Sequence, residues 1–146
     1  MCDPVEPSEE VQTFIRTRRV ARMATVDASG HPHVVPICYA YDGCRLYSAV
    51  DEKPKRFAPN ALRRLVNIRN NARICLIVDE YDEDWNRLRF VIIHGTAEIV
   101  LAGAEHAHAL ALLRKKYPQY RTMVLTEKRN PVIAITPTKI ISWGTF

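Results

Sequence analysis

The stretch Leu46-Tyr47-Ser48-Ala49-Val50-Asp51-Glu52-Lys53-Pro54-Lys55-Arg56 holds the densest chemistry in the chain. A strand-like run passes straight into a Lys-Pro-Lys-Arg turn ahead of a helical pattern. Residues 51–73 carry seven basic side chains (Lys53, Lys55, Arg56, Arg63, Arg64, Arg69 and Arg73) against two acids. Main-chain N–H groups at a helix start, with two lysines fixed by a proline, make a cradle for phosphate. The same charges also read as a solvated helix face, and charge alone does not choose between the two. The formal net charge of the whole chain, +5 with a pI near 9.2, is concentrated here, so a phosphate or polyanion partner is plausible.

Self-contained catalysis has little to work with. Gly30, Gly43, Gly95, Gly103 and Gly144 are too scattered for a dinucleotide or P-loop signature, and none of Ser8, Ser29, Ser48 and Ser142 sits in G-x-S-x-G. His31 and His33 flank a turn, while His106 and His108 sit two apart on a helical pattern and point to different faces, so no metal site is expected. His94, in a long strand pattern, could line a cavity, although a satisfied core or interface histidine is commoner. Tyr39, Tyr41 and Tyr47 could donate a proton, but strand tyrosines usually pack, and none is assigned a catalytic role. Trp85 follows the acidic loop 79–84; an indole there covers core, makes a subunit contact or meets a ligand.

These side chains need a scaffold, and the 146-residue chain is one domain's worth, residues 1–146. It is 47% hydrophobic and 25% charged, which excludes a disordered tail, and its longest apolar runs fall far short of a bilayer span. The acidic, Pro-broken start Met1-Cys2-Asp3-Pro4 does not read as a signal peptide, so a cytoplasmic protein is expected. Cys2, Cys38, Cys44 and Cys75 form no C-x-x-C pair and are expected to be reduced.

Ser8 caps a first helix over Val11, Phe14 and Ile15. Strand patterns over 20–26, 33–41 and 45–50, separated by Asp27-Ala28-Ser29-Gly30 and Asp42-Gly43, make an antiparallel meander. A helix starting near Pro59-Asn60, strands at 73–78 and 88–101, a helix striped by Ala104, Ala107, Leu110, Ala111 and Leu113, and a strand over 131–146 complete the pattern. Pro137 argues for an edge or a bulge in that last strand. About six antiparallel strands with helices at the ends predict an α+β fold, a small closed or partly closed barrel. The apolar runs 74–78 and 91–93 exceed what so small a domain hides, which predicts a homodimer.

Four segments in register carry a family resemblance. Arg22-Met23-Ala24-Thr25-Val26 with Gly30-x-Pro32-x-Val34-x-Pro36 resembles the opening hairpin of the pyridoxamine 5'-phosphate oxidase-like flavin and deazaflavin split-barrel superfamily. Ala49-Val50-Asp51-x-Lys53-Pro54-Lys55 and Leu62-Arg63-Arg64-Leu65-x-Asn67-Ile68 resemble the phosphate-binding segment of its coenzyme F420-dependent branch. Val78-Asp79-x-Tyr81-Asp82-x-Asp84-Trp85, then Arg89-Phe90-Val91 and Gly95-Thr96-Ala97, extend the match to roughly residues 8–145.

The resemblance implies a six-stranded FMN-binding split β-barrel that is homodimeric and holds its cofactor in a groove between subunits. It implies that Ser48, Ala49 and Val50 with Lys53, Lys55 and Arg56 hold the cofactor phosphate, Lys55 standing where the family's phosphate lysine stands. Pro36 and Ile37 would back the tricyclic ring, and Trp85 and Arg89 would rim the groove from the facing subunit or the same one. The leading expectation is an oxidoreductase passing a hydride from reduced F420 to a small electrophilic substrate, the arginines suiting the anionic glutamyl tail of that coenzyme. An FMN-dependent reductase or oxidase on the same barrel, and a non-catalytic cofactor or haem-type carrier, are the alternatives. A nucleic-acid binder is disfavoured by the acidic loop and the lack of a stacking consensus.

Overall fold

The computed structural model of the chain describes residues 6–51 and 62–146. Lys53, Lys55 and Arg56, and the expected helix start at Pro59-Asn60, lie outside the described residues. Helix α1 (Glu9–Thr17) opens on Ser8, whose Oγ accepts the Val11 N–H at 3.3 Å, with Glu9 and Glu10 at the positive end of the helix dipole. Its buried face is Val11, Phe14 and Ile15, as the spacing predicts. Strands β1 (Ala21–Val26) and β2 (Pro32–Ile37) form a hairpin. In its turn Asp27 Oδ1 accepts the N–H groups of Ser29 and His31, and Gly30 adopts φ 87°.

The single strand expected over 33–41 is two. β2 ends at Ile37, and β3 (Ala40–Tyr41) begins after Cys38 and Tyr39. At the break the Tyr39 N–H donates to the Tyr117 hydroxyl at 3.0 Å, so a side chain takes the place of a neighbouring strand. The sheet therefore has seven strands where six were expected. The remaining elements are β4 (Leu46–Ala49), α2 (Arg63–Asn70), β5 (Arg73–Glu80), a 3-10 turn (Trp85–Arg87), β6 (Arg89–Val100), α3 (Ala104–Lys116), α4 (Gln119–Thr122) and β7 (Val132–Gly144).

All pairings are antiparallel, in the order β2-β1-β5-β6-β7-β4-β3. The two edges of the sheet, β2 and β3, are consecutive in sequence and joined only by Cys38 and Tyr39. A flat seven-stranded sheet is ~29 Å across at ~4.8 Å per strand. The link spans at most ~11 Å. The sheet must therefore curl until its edges approach, and the result is the expected split barrel. Pro32 and Pro36 lie on the edge strand β2, where a missing N–H costs least.

The barrel interior is packed by alternating residues: Ala21 and Met23 from β1, Ile74, Leu76 and Val78 from β5, and Val91 and Ile93 from β6, with α1 and α2 closing it through Ile15 and Leu65. A second core lies between the sheet and α3–α4, built on Tyr47, Ala49, Leu113, Tyr117, Tyr120, Val132 and Ala134. Strand β7 is buried on both faces over Val132–Ile135 because the two cores meet there.

Two expectations are corrected and one is met. The buried stripe of α3 is His106, Ala109, Leu110 and Leu113; Ala104, Ala107 and Ala111 face solvent. His106 replaces them because its Nε2 bonds the Asn130 carbonyl at 2.8 Å, which satisfies the ring inside the core. Pro137 is not on an edge strand, since β7 is central, but it does sit at a bulge, opposite Gly95. A Cβ on Gly95 would lie 2.5 Å from the Thr136 carbonyl oxygen, so only glycine admits this approach. Cys38 and Cys75 are free thiols as expected, whereas Cys44 is disulfide-bonded. Among the described residues no helix is long and apolar enough to cross a membrane.

Candidate functional site

Curling the sheet brings the exit of β2 against the end of β4. Between them lies a cavity of about 290 Å³ lined by Pro36, Ile37 and Cys38 from one edge, Ser48 and Ala49 from β4, Asp51, and Arg64 and Tyr120 from α2 and α4. Strand β3 pairs with β4 only as far as Ala40 opposite Tyr47, so among the described residues no strand pairs with the β3-facing edge of β4 beside Ala49, where it borders the cavity.

Arg64 supplies the site's cationic group. Its Nε is buried and has no hydrogen-bond partner. Burial pushes the guanidinium below its ordinary pKa, while the Asp51 carboxylate pulls it back up. Asp51 accepts the Tyr120 hydroxyl at 3.0 Å, and burial, with Asp51 beside it, pushes that hydroxyl's pKa well up. A buried N–H without an acceptor costs roughly 1–3 kcal/mol. An anion in the cavity would supply the missing acceptor, which is the fit expected of a cofactor phosphate.

The sequence-derived site residues separate into groups. Pro36, Ile37, Ser48 and Ala49 share this cavity. Val50 stands behind it, fully buried, with its N–H given to the Pro131 carbonyl at 2.9 Å and its own carbonyl accepting from Asn130 Nδ2 at 2.7 Å. Its main chain is thus spent on the loop that leads into β7 and offers nothing to a ligand. Trp85, 71% exposed, stands in the 3-10 turn, and Asp84 caps that turn by accepting the Asn86 N–H.

Arg89 lies in a different cavity, of about 370 Å³, with Phe14, Arg18 and Phe146. Its guanidinium sits 4.7 Å from the Phe14 ring centroid and shares Glu80 with Arg18. Within one chain, neither Trp85 nor Arg89 is among the described residues that line the Arg64 cavity, and Trp85 is not among those that line the Arg89 cavity. Tyr39, Tyr41 and Tyr47 are buried packing residues, and burial pushes the Tyr47 hydroxyl up to about 12.

Arg64, Tyr120, Asp51 and Cys38 were missed as site residues. Arg64 had a signal, the basic run on one helix, but Leu65 and Ile68 fix that helix's buried face and Arg64 falls on its flank. Tyr120 follows Pro118, which read only as a helix stop.

The outer face of the sheet is apolar as well. Ile77, Ile92 and Ile141 align across β5, β6 and β7. One rung further on, Phe90 stacks on Trp143 at 5.5 Å with 13° between planes, and Trp143 remains 52% exposed. Half of the two apolar runs noted in the sequence thus faces the barrel core (Ile74, Leu76, Val78, Val91, Ile93), and the other half, Cys75, Ile77 and Ile92, faces outward.

Comparison with known proteins places this geometry. The family model described as pyridoxamine 5'-phosphate oxidase matches residues 7–144. A 5a,11a-dehydrotetracycline/5a,11a-dehydrooxytetracycline reductase of Streptomyces rimosus is 28% identical over 133 residues, 90% of this chain and 79% of that protein. A haem-binding protein of Mycobacterium smegmatis superposes with a TM-score of 0.75 at 19% identity, over 97% of this chain and 56% of that one. A structure described as an F420 reductase superposes with a TM-score of 0.63 at 22% identity, over 92% of this chain and 98% of that one.

Proposed function

Because this chain belongs to the pyridoxamine 5'-phosphate oxidase family, we propose that it is an oxidoreductase that uses a flavin-type cofactor, and coenzyme F420 in particular. The observation that carries this reading is the buried, partnerless Nε of Arg64 in a cavity bordered by the open edge of β4. A reductase relative at 28% identity and the shared fold of an F420 reductase support it.

Arg64 and the β4 edge at Ala49, with Lys53, Lys55 and Arg56 from the adjoining segment, hold the cofactor phosphate; Pro36 and Ile37 back its ring. The cofactor, when bound, supplies the hydride chemistry. The chain's own residues bind and orient it and exclude water from a small electrophilic substrate. Seven basic residues against two acids in residues 51–73 favour F420 over FMN, because the glutamyl tail of F420 adds carboxylates for them to meet.

The working unit in this reading is a homodimer. The Ile77–Ile92–Ile141 row and the Phe90–Trp143 stack are covered by a second copy, whose Trp85 and Arg89 come to the groove from across the interface.

The test is equilibrium titration of the purified chain with F420, FMN and haemin, followed by turnover of reduced F420 with a panel of enones and quinones. Tightest, salt-sensitive binding of F420 with accelerated reduction of at least one acceptor is expected. An intrinsically yellow protein with no F420 affinity would replace F420 by FMN. Haemin binding without turnover would favour the carrier reading that the mycobacterial haem-binding neighbour raises.

A further inference from the structure

A third cavity, of about 430 Å³, opens between α1, β3 and α3 and shares no lining residue with the Arg64 cavity. Ala40, Tyr41 and Leu112 supply its apolar floor, while Arg16, Lys115 and Lys116 bring three cations to it. Its volume lies within the ~300–1,000 Å³ range of small-molecule sites. The Arg16 guanidinium stacks 5.8 Å from the Tyr41 ring centroid, which holds it at the mouth.

Lys116 is the unusual group. Its Nζ is buried, has no hydrogen-bond partner, and lies 4.0 Å from the ring centroid of Tyr39 and 5.4 Å from that of Tyr117. The Arg19 guanidinium donates to the Lys116 carbonyl and adds further positive charge beside it. The one acid in the lining, Asp42, is already committed: Oδ2 to His108 Nε2 at 3.0 Å, and Oδ1 to the N–H groups of Cys44 and Arg45 at 2.9 and 2.7 Å. Glu6 contributes one more negative charge within range of Tyr41. The cavity thus pairs a flat hydrocarbon floor with an excess of cations, one of them desolvated and without a counter-ion.

We propose that this cavity binds an amphipathic organic anion, an aromatic carboxylate in its simplest form. The ring lies on Ala40, Tyr41 and Leu112, and the carboxylate meets Arg16, Lys115 and the field of Lys116. Inorganic phosphate would leave the floor uncovered, and a neutral arene would leave the cations unpaired, so the two halves of the site together specify the ligand class.

The experiment is a titration of the ¹⁵N-labelled full chain with benzoate and, in parallel, with neutral benzyl alcohol at matched ionic strength. Benzoate is expected to give saturable shifts of the amides of Ala40, Tyr41, Lys115 and Lys116, and benzyl alcohol none that saturate at tenfold higher concentration. Arg16→Gln/Lys115→Gln should weaken benzoate at least about tenfold, and Lys116→Met about three- to tenfold. No saturable shift, an equal response to benzyl alcohol, shifts confined to the Ile37, Ser48 and Arg64 amides, or unchanged affinity in the double variant would each overturn the proposal. Arg16 and Lys115 are exposed, so the double variant decides the matter even if Lys116→Met fails to fold.

Discussion

Replacing Lys116 by Met should stabilise the protein at neutral pH and should do so less as the solution becomes alkaline. Burial, reinforced by Arg19, lowers the Lys116 ammonium from 10.5 to about 8, against a weaker opposing pull from Cys38. The unfolded chain therefore holds this proton more tightly than the folded one. The cost of burying the charge is fully present below pH 8 and is relieved as pH rises from about 8 towards 10.5. At ~1.4 kcal/mol per pH unit the full difference is ~3.5 kcal/mol, and discounting for the partly exposed side chain leaves about 1–2 kcal/mol. Loss of the contact with Tyr39 returns ~0.5–1 kcal/mol, while Met keeps the stem's packing. The net gain is about 1 kcal/mol, or roughly 2–4 °C in Tm for a chain of this size. Thermal melts followed by circular dichroism at pH 7, 8, 9 and 10 read it directly. The gap between variant and parent should be widest at pH 7 and close near pH 10. A variant less stable than the parent at pH 7, or a gap constant across the series, would refute the reasoning.

Arg64→Gln should keep the fold and weaken F420 about 10- to 100-fold by fluorescence titration, the loss of one or two charge-assisted bonds; unchanged affinity would remove Arg64 from the site. Lys55→Ala should likewise weaken any phosphate-bearing cofactor, and equal binding by parent and variant would end its assignment to the cradle. Gly95→Ala forces a methyl group onto the Thr136 carbonyl and should cost about 1–3 kcal/mol in urea denaturation, where a change below about 0.5 kcal/mol would contradict the bulge geometry. Ile141→Glu should turn a dimer into a monomer in light scattering; a monomeric parent, or a dimeric variant, would count against the interface on the outer face of β5–β7.

The barrel was legible because its signals are local: Asp27 and Gly30 mark a hairpin, Ser8 marks a helix start, and alternation in β5 and β6 marks half-buried strands. What escaped was set by partners distant in sequence. Tyr117 breaks the run at Tyr39, and Asn130 draws His106 inward to rotate the buried face of α3. Of the candidate site, the basic side was legible as a concentration of positive charge, but charge density does not say which guanidinium loses its water. That required the curl of the sheet, which sets Arg64 opposite Ser48 and Ala49 and leaves Val50 committed to Pro131. Trp85 and Arg89 were readable as functional candidates, but sequence does not say which cavity each borders: Arg89 lines the one with Phe14 and Phe146, and neither lines the Arg64 cavity among the described residues.

A crystal structure of the chain with F420 tests the central claim most directly. The cofactor phosphate should lie within hydrogen-bond distance of the Arg64 guanidinium and the Ala49 edge of β4, with the ring against Pro36 and Ile37. A fully occupied cofactor whose phosphate lies elsewhere, with Arg64 still lacking an acceptor, would contradict it.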